Sequence, residues 1–230
     1  MINIFIGYDH RERAASNVLI DSLYQHSSLP LSINILKNNQ LIKLGIYWRQ
    51  RDPKQSTDFS FTRFLVPHLM NFSGWAIFMD CDMLCQDDIA ELWNQRNENY
   101  SLMCVKHKHK PKKKTKFLGE PQTSYPKKNW SSLMLINCSK CKNLNVEYVN
   151  SASGLDLHRF NWLDNDNEIG EIKGSWNYLV QDSKNINNNA SLIHWTLGGP
   201  WFKDQRDYDD ILTDKWFKAR EDSMRLYENE

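Results

Sequence analysis

The sequence predicts an α/β fold, in which a sheet carries helices on both of its faces. Short apolar segments typical of strands alternate along the chain with segments whose apolar residues recur at helical spacing. One strand-like segment, residues 75–79, runs directly into two acids, Asp80 and Asp82. Ligands of α/β sheets bind beyond the carboxyl ends of the strands, so acids at this place indicate a site as well as a fold.

The first part of the chain alternates between strand and helix signals. Residues 2–7, INIFIG, predict a strand that ends in a glycine able to turn tightly. Residues 11–25 have apolar side chains at helical spacing and predict a helix. Residues 31–36 alternate like a second strand, and a polar, irregular stretch follows up to residue 58. Residues 59–72 predict a helix in which Pro67 causes a kink or begins a new turn.

The second part repeats this alternation after the apolar strand at 75–79. Residues 87–93 predict a short helix with acids at its positive end. Residues 101–105, 131–137 and 191–195 predict three further strands. About fifteen residues at the end of the chain predict an amphipathic helix. Its apolar residues are Trp216, Phe217 and Leu226.

Length and composition predict one domain, residues 1–230, with enough apolar residues (40%) to form a core. No apolar run approaches the roughly 20 residues that a membrane span needs, and the N-terminal residues do not resemble a signal peptide. The five cysteines are an odd number, which favours reduced thiols and a cytoplasmic location.

The basic character of the chain is concentrated in one segment. Residues 106–116, KHKHKPKKKTK, contain seven lysines and no acid, whereas the formal net charge of the whole chain is only +1. Such a run is most simply a solvated loop. It can alternatively close over a diphosphate, attract an anionic acceptor or bind a nucleic acid.

Asp80 and Asp82 can present both carboxylates to one place, because alternate residues of an extended chain point the same way. Two such acids repel each other and attract a cation. Mg²⁺ and Mn²⁺ take one or two carboxylates together with substrate phosphates. The alternative is a pair of solvated acids that open a turn.

The segment IFMDCDM, residues 77–83, resembles the Asp-x-Asp element of nucleotide-sugar glycosyltransferases with the GT-A fold. Four other segments agree with this resemblance and occur in the expected order over roughly residues 2–202. They are INIFIGYDHRE, FSFTRFLVP, NWSSLMLIN and IHWTLGGPW. The last of these resembles the C-terminal His element of family 8, the glycogenin and galactosyltransferase group. The resemblance implies a Rossmann-like, mixed and mostly parallel sheet flanked by helices.

The resemblance implies that Asp80, Asp82 and His194 bind Mn²⁺ or Mg²⁺. Arg63 is expected to neutralise phosphate or orient Asp80, which makes it a catalytic candidate. The donor contacts are expected at Gly7, Tyr8, Asp9, Arg63, Asp80, Cys81, Asn129, Trp130, Ser132, Gly198 and Gly199. For Asp9 the alternative is a helix N-cap, and for the paired glycines it is a plain turn. For His194 it is a core histidine.

The region GLDLHRF lies where the family has an Asp-Gln pair in its sugar site, and this pair is not clear here. Asp156 is the second catalytic candidate, with a solvated acid on a helix as the alternative. His158 lies nearby, and Trp176 and Asn177 are candidates for the pocket wall or for core packing. Gly199 departs from the family, which usually has a phosphate-binding Lys before the Pro-Trp pair.

The function predicted from these features is a metal-dependent glycosyltransferase that moves a sugar from a nucleotide-diphosphate donor, UDP by resemblance, to an acceptor hydroxyl. Retention of configuration is implied, either by same-face attack or by a covalent step at a group such as Asp156. The acceptor can be a glycan, a lipid-linked sugar or a protein. The alternatives are a sugar-nucleotide nucleotidyltransferase, a nucleic-acid-binding module that uses residues 106–116, and a fold without catalysis.

Zinc held by cysteines is a further, less favoured alternative. The pairs Cys81/Cys85 and Cys138/Cys141 have spacings that occur in zinc sites. However, the first pair overlaps the Asp-x-Asp segment, and neither pair is accompanied by the usual knuckle glycines.

Overall fold

A computed structural model describes residues 1–53, 55–108, 126–180, 189–205 and 211–225. Nine strands occur in these residues. They are β1 (Ile2–Gly7), β2 (Leu31–Leu36), β3 (Trp75–Met79), β4 (Met83–Cys85), β5 (Leu102–Cys104), β6 (Leu133–Asn137), β7 (Ile169–Glu171), β8 (Tyr178–Leu179) and β9 (Leu192–His194). Seven α-helices occur in the same residues. They are α1 (Arg13–Gln25), α2 (Asn38–Lys43), α3 (Val66–Leu69), α4 (Ile89–Trp93), α5 (Val146–Ser151), α6 (Gly154–His158) and α7 (Ile211–Asp222).

The larger sheet of the described residues has six strands in the order β2-β1-β3-β6-β5-β7. Strand β6 pairs antiparallel with both of its neighbours, β3 and β5, while the pairs β2/β1, β1/β3 and β5/β7 are parallel. Five strands therefore run one way and β6 runs the other. This arrangement confirms the predicted α/β class with a mixed, mostly parallel sheet flanked by helices.

The central strands are buried along their whole length, which is typical of a sheet covered by helices on both faces. Every residue of β3 and of β6 is buried. Helix α1 buries Ala15, Val18, Leu19 and Leu23 at helical spacing, as its sequence pattern predicted. The carboxyl ends of β1 and β3 consequently lie together at one edge of this core.

A second, smaller sheet lies beside this edge and has the order β4-β9-β8. Strands β4 and β9 are antiparallel and place Met83 opposite His194. Strand β8 runs parallel to β9 and places Leu179 opposite His194. The sequence predicted β9 but neither β4 nor β8.

Three other details differ from the sequence predictions or refine them. The stretch 37–58 was expected to be irregular but contains α2. The predicted helix at 59–72 is a 3-10 turn, Thr62–Leu65, followed by α3, and Pro67 lies in the first turn of α3, so it begins a new turn. The C-terminal helix is present as α7 and buries Trp216, whereas Leu226 lies outside the described residues.

None of the helices in the described part of the chain is long and apolar enough to cross a bilayer.

Candidate metal and donor site

Asp80, Asp82 and His194 are brought together by the junction of the two sheets. Strand β3 ends at Met79, and the N–H of Asp80 continues the ladder to β6 by donating to the Ser132 carbonyl at 2.9 Å. Asp82 directly precedes β4, and its carbonyl accepts from the N–H of Trp195 at 3.0 Å. The β4–β9 pairing therefore holds His194 next to the acids, although more than 100 residues separate them along the chain.

The three side chains form a compact group of potential metal ligands. One ligand atom from each lies within 4.8 Å of the other two, and all three residues are largely buried. His194 Nε2 lies 3.2 Å from Asp82 Oδ1 and 4.0 Å from Asp80 Oδ2. Two carboxylates and an imidazole are a suitable set for Mn²⁺ or Mg²⁺.

The hydrogen bonding of Asp82 fits a cation at this place. Its Oδ1 atom is buried and accepts no hydrogen bond from any described residue, despite its short distance to His194. Buried carboxylate oxygens are normally satisfied, since leaving one without a partner is costly. A divalent ion between Asp82 and His194 would satisfy this oxygen.

Arg63 lies on the other side of Asp80 and is itself buried. Its Nη1 atom lies 2.8 Å from Asp80 Oδ1 and donates to the carbonyl of Ser131 at 2.9 Å. The guanidinium carbon lies 5.2 Å and 5.0 Å from the ring centroids of Phe59 and Phe78. These contacts fix Arg63 against Asp80, and a contact of Arg63 with phosphate remains a prediction.

Glu12 is a buried acid beside the site that the sequence predictions missed. It is fully buried, and its Oε2 accepts from the thiol of Cys81 at 3.5 Å. Burial, followed by the negative charge of Asp82, raises the pKa of Glu12 well above its usual value. Glu12 directly precedes α1 and is three, four and seven residues before Ala15, Ser16 and Leu19, so helical spacing places it in line with the buried face of that helix.

Cys81 was predicted among the donor-binding residues, but its side chain is directed into the core. It is fully buried, and burial raises the pKa of its thiol well above the usual value. A donor contact at this position would therefore come from the backbone.

Asn177, which is completely buried, contacts the ring nitrogen of His194 that does not face the acids. The Nδ1 atom of His194 lies 2.8 Å from Asn177 Oδ1. Asn177 Nδ2 donates to Ser132 Oγ at 2.9 Å, and that hydroxyl donates to the carbonyl of Asn129 at 2.7 Å. Asn177 therefore contacts the histidine of the site directly, while its neighbour Trp176 is part of the core.

The turn after β1 contains Gly7, Tyr8 and Asp9, which were predicted to contact the base and ribose. Gly7 has no room for a side chain, because a Cβ atom there would lie 2.2 Å from the ring of Phe59. Tyr8 is half-buried and has Lys37 Nζ 5.4 Å from its ring centroid. A ligand contact of these residues remains a prediction.

Asp9 forms the N-cap that the sequence offered as its alternative role. Its Oδ1 accepts from the backbone N–H of Arg11 at 3.0 Å, and Oδ2 accepts from the Arg11 side chain at 2.6 Å and from the N–H of Asp58 at 3.1 Å. Burial raises the pKa of Asp9, but these hydrogen bonds outweigh it and hold the pKa below its usual value. Asp9, His10 and Asp58 form a second acidic group, in which Arg11 and Arg51 pair with the two acids.

The paired glycines after His194 form a close-packed turn. Gly198 has a φ of +92°, a conformation that L side chains rarely adopt. A Cβ atom at Gly199 would lie 2.4 Å from the ring of Trp201 and 2.9 Å from that of Trp195. Gly199 therefore lets two indoles meet, and a diphosphate contact there remains a prediction.

The predicted donor residues Asn129 and Trp130 precede β6. Asn129 has a left-handed backbone (φ +65°), and the indole of Trp130 donates to the carbonyl of His107 at 3.0 Å. Lys106, at the start of the basic run, donates to the carbonyl of Ile169 at 2.8 Å. The remainder of that run, from residue 109, lies outside the described residues.

Asp156 and His158 lie on α6 and have different surroundings. The Asp156 carboxylate accepts from Ser153 Oγ at 2.6 Å and from Asn161 Nδ2 at 2.8 Å, and the bond from the Ser153 hydroxyl is the main reason why its pKa lies below the usual value. These contacts are local to α6 and the turn after it. His158 Nδ1, in contrast, lies 2.9 Å from Ser131 Oγ, next to the carbonyl that holds Arg63.

Most of this chain matches one protein-family model. The model of glycosyl transferase family 8 matches residues 20–205, which include Arg63, both acids and His194. This chain belongs to glycosyl transferase family 8.

One relative and several solved structures match most of the length of this chain. The protein named Protein CDI from Arabidopsis thaliana is 44% identical over 225 residues, which cover 95% of this chain and 86% of that protein. The structure of the galactosyltransferase LgtC with donor and acceptor sugar analogs has a TM-score of 0.61 at 12% identity, and the match covers 99% of this chain and 98% of that one. The bifunctional WbbM structure has a TM-score of 0.66 at 14% identity, over 95% of this chain and 49% of that one. These structures confirm the GT-A fold.

The cysteines of this family 8 chain do not form the zinc site considered from the sequence. All five are free and buried. Cys85 donates to the carbonyl of Asp87 at 3.2 Å and Cys141 to that of Asn137 at 3.2 Å. Neither group of potential metal ligands in the described residues contains a cysteine.

Proposed function

We propose that this family 8 protein is a metal-dependent glycosyltransferase that moves a sugar from a nucleoside diphosphate donor, UDP-sugar in the first instance, to an acceptor hydroxyl. The observation that carries the proposal is the convergence of Asp80, Asp82 and His194, with ligand atoms within 4.8 Å of one another, at the strand ends of a family 8 chain. LgtC, whose structure was solved with donor and acceptor sugar analogs, has the same fold.

Each residue of the cluster has a distinct part in this proposal. Asp82 and His194 would hold Mn²⁺ or Mg²⁺ directly, and Asp80 would contribute its Oδ2 atom. The bound ion supplies Lewis-acid stabilisation of the negative charge that develops on the departing nucleoside diphosphate. Arg63 holds Asp80 through Oδ1 at 2.8 Å and so fixes the direction of the second oxygen.

We propose that the sugar is transferred with retention by same-face attack of the acceptor. A covalent route would need a carboxylate aimed at the anomeric carbon, and Asp156 was the candidate from the sequence. Its two oxygens instead accept hydrogen bonds from Ser153 and Asn161. The anomeric configuration of the first product, read by proton NMR, tests retention. A loss of activity of more than about 100-fold in Asp156→Asn would favour the covalent route.

The main test is release of nucleotide from a panel of UDP-, GDP- and dTDP-sugars with Mn²⁺ present. We expect one donor to be used, and we expect EDTA and Asp82→Asn each to lower the rate by at least about 100-fold, the scale on which losing one charge-stabilising group lowers kcat. Asp88→Asn is the matched control, because it changes the same functional group six residues away. Asp88 caps α4, and Asn caps helices equally well.

Turnover that is unchanged in EDTA would exclude the metal-dependent mechanism. Absence of turnover with every donor, together with absence of metal-dependent nucleotide binding in calorimetry, would exclude the function as a whole. We also propose a cytoplasmic location, supported by the five free cysteines. Subcellular fractionation tests it, and recovery of the protein with oxidised cysteines would contradict it.

A further inference from the structure

Asn177 connects His194 to the turn before β6 through two buried hydrogen bonds. It lies at the end of a 3-10 turn, Gly174–Asn177, directly before β8. The parallel pairing of β8 with β9 brings it beside His194. Asn177 and His194 are both buried, at 0% and 2% exposure, so water cannot replace the bond between Asn177 Oδ1 and His194 Nδ1.

The Asn129 carbonyl is the last group in this series of hydrogen bonds, and it determines the direction of every bond in the series. The Asn129 carbonyl can only accept, so the single proton of the Ser132 hydroxyl is used there. Ser132 Oγ must then accept from Asn177, which turns the NH₂ group of the amide towards Ser132 and its oxygen towards His194. Since the amide oxygen can only accept, His194 Nδ1 must carry a proton.

A neutral imidazole with its proton on Nδ1 has a lone pair on Nε2. Nε2 is the atom that lies 3.2 Å from Asp82 Oδ1 and 4.0 Å from Asp80 Oδ2. The hydrogen-bond chain therefore selects the tautomer in which the nitrogen facing the acids can bind a cation. The other tautomer would place an N–H group there and block direct coordination.

We propose that Asn177 is a positioning residue, which holds His194 in the Nδ1–H tautomer with Nε2 directed at the metal position between Asp80 and Asp82. The tautomer itself is a property of the metal-free protein, whereas its consequence for metal binding rests on the proposed function. Metal-binding histidines usually donate their second N–H to a carboxylate or a carbonyl oxygen. A neutral amide takes this place here, which adds no further negative charge beside Asp80 and Asp82.

The tautomer is tested directly by two-bond ¹H–¹⁵N NMR of the metal-free protein with labelled histidine. The spectrum is recorded at roughly pH 8, above the ordinary histidine pKa of about 6.5. The His194 signals are identified by their loss in His194→Gln. We expect a protonated Nδ1 and an unprotonated Nε2. A protonated Nε2 would overturn the proposal without any assumption about metal or donor.

The consequence is tested by Mn²⁺ binding in calorimetry. Asn177→Leu keeps a similar volume but cannot accept from Nδ1, and we expect its Kd for Mn²⁺ to rise roughly 10- to 100-fold, as for other lost partners of metal-binding histidines. Asn177→Asp can still accept from Nδ1, so we expect its Kd to stay within a few-fold of the wild-type value. This rescue would not occur if Asn177 only filled space.

Asn150→Leu is the matched control for lost stability. Asn150 is another structural asparagine, which accepts from the N–H of Trp48 at 2.8 Å and donates to the carbonyl of Val146 at 2.8 Å. We expect it to lower the melting temperature without changing the Kd for Mn²⁺. Equal changes of Kd in Asn150→Leu and Asn177→Leu would overturn the positioning role. If wild-type protein binds no Mn²⁺, the proposed function fails, and the NMR result alone decides the tautomer.

Discussion

Replacing Arg63 by methionine is the most direct test of how this site is assembled. The substitution keeps a long apolar side chain between Phe59 and Phe78 but removes the guanidinium. Asp80 then loses the partner that lies 2.8 Å from its Oδ1, and the Ser131 carbonyl loses its donor at 2.9 Å. Asp82 remains nearby, so the uncompensated negative charge in the site increases.

The expected cost follows from the burial of the two partners. Removing one member of a buried ion pair costs roughly 3–5 kcal/mol, because the other charge stays buried. The Arg63 side chain is 6% exposed, but the Asp80 side chain keeps 13% of its surface in water, which favours the lower end. We therefore expect Arg63→Met to destabilise the protein by about 3 kcal/mol, which in a chain of this length lowers Tm by roughly 6–12 °C.

The assay is thermal unfolding in EDTA of Arg63→Met, Asp80→Asn and the double variant. The double variant lacks both charges of the Arg63–Asp80 pair, so neither remains buried without the other. We therefore expect a coupling energy of about 1–3 kcal/mol between the two substitutions. Arg96→Met is the control. Its guanidinium lies 3.7 Å from the ring centroid of Trp93, and we expect a loss of only about 0.5–1 kcal/mol. Additivity of the Arg63 and Asp80 effects within about 0.5 kcal/mol would refute the reasoning.

Two further predictions concern residues around the cluster. Glu12→Gln should remove a pH dependence of stability, because burial raises the pKa of Glu12 in the folded protein. As pH rises above about 4.3, the wild-type protein should lose stability relative to the variant. The loss should be up to about 1.4 kcal/mol per pH unit and should end at the folded-state pKa. Melting curves in EDTA between pH 4 and 8 measure this, and a pH-independent difference would contradict it. Gly199→Ala should lower the free energy of unfolding by about 1–3 kcal/mol, because the new Cβ atom would overlap Trp201. It should also weaken Mn²⁺ binding, because the turn after His194 would move. Gly174→Ala is the control, since a Cβ atom there meets nothing within 4 Å, and an equal loss of Tm in both variants would contradict the packing argument.

The sequence was sufficient for the long strands and for β5 and β9, but it did not indicate β4, β7 or β8. The strands at 2–7, 31–36 and 75–79 were predicted with the bounds that the structure has, because each contains five or six residues of apolar or alternating character. Strands β4 and β8 have three and two residues, too few for any periodicity. Both are defined by their pairing with β9, which lies more than 100 residues after β4 in the sequence.

The same limit explains why the metal-ligand candidates were predicted but the contact of Asn177 with His194 was not. Asp80, Asp82 and His194 were recognised because their motifs are local, and the structure brings them together. The contact of Asn177 with His194 depends on the pairing of β8 with β9, so no local sequence pattern indicated it. Glu12 differs from Asn177, because its sequence spacing from Ala15 and Leu19 already placed it in line with the buried face of α1, which begins at the next residue.

The contacts around the cluster converge on Ser131 and Ser132. The Ser131 carbonyl holds Arg63, the Ser132 carbonyl accepts from the N–H of Asp80, and the Ser132 hydroxyl accepts from Asn177. Two of these contacts use backbone atoms and the third uses a side chain, so Ser132→Ala should separate them.

We expect Ser132→Ala to leave the coupling between Arg63 and Asp80 unchanged in the double-variant measurement, since the carbonyls remain. The Asn177 amide would lose its fixed direction, and both tautomers of His194 should then appear in the NMR spectrum of the metal-free protein. An unchanged spectrum would mean that the amide is oriented by its other surroundings. A changed Arg63–Asp80 coupling would mean that the turn itself depends on the hydroxyl. Ser132→Ala thus distinguishes two sets of contacts. Backbone carbonyls hold Arg63 and Asp80, whereas the Ser132 side chain acts on His194 through Asn177.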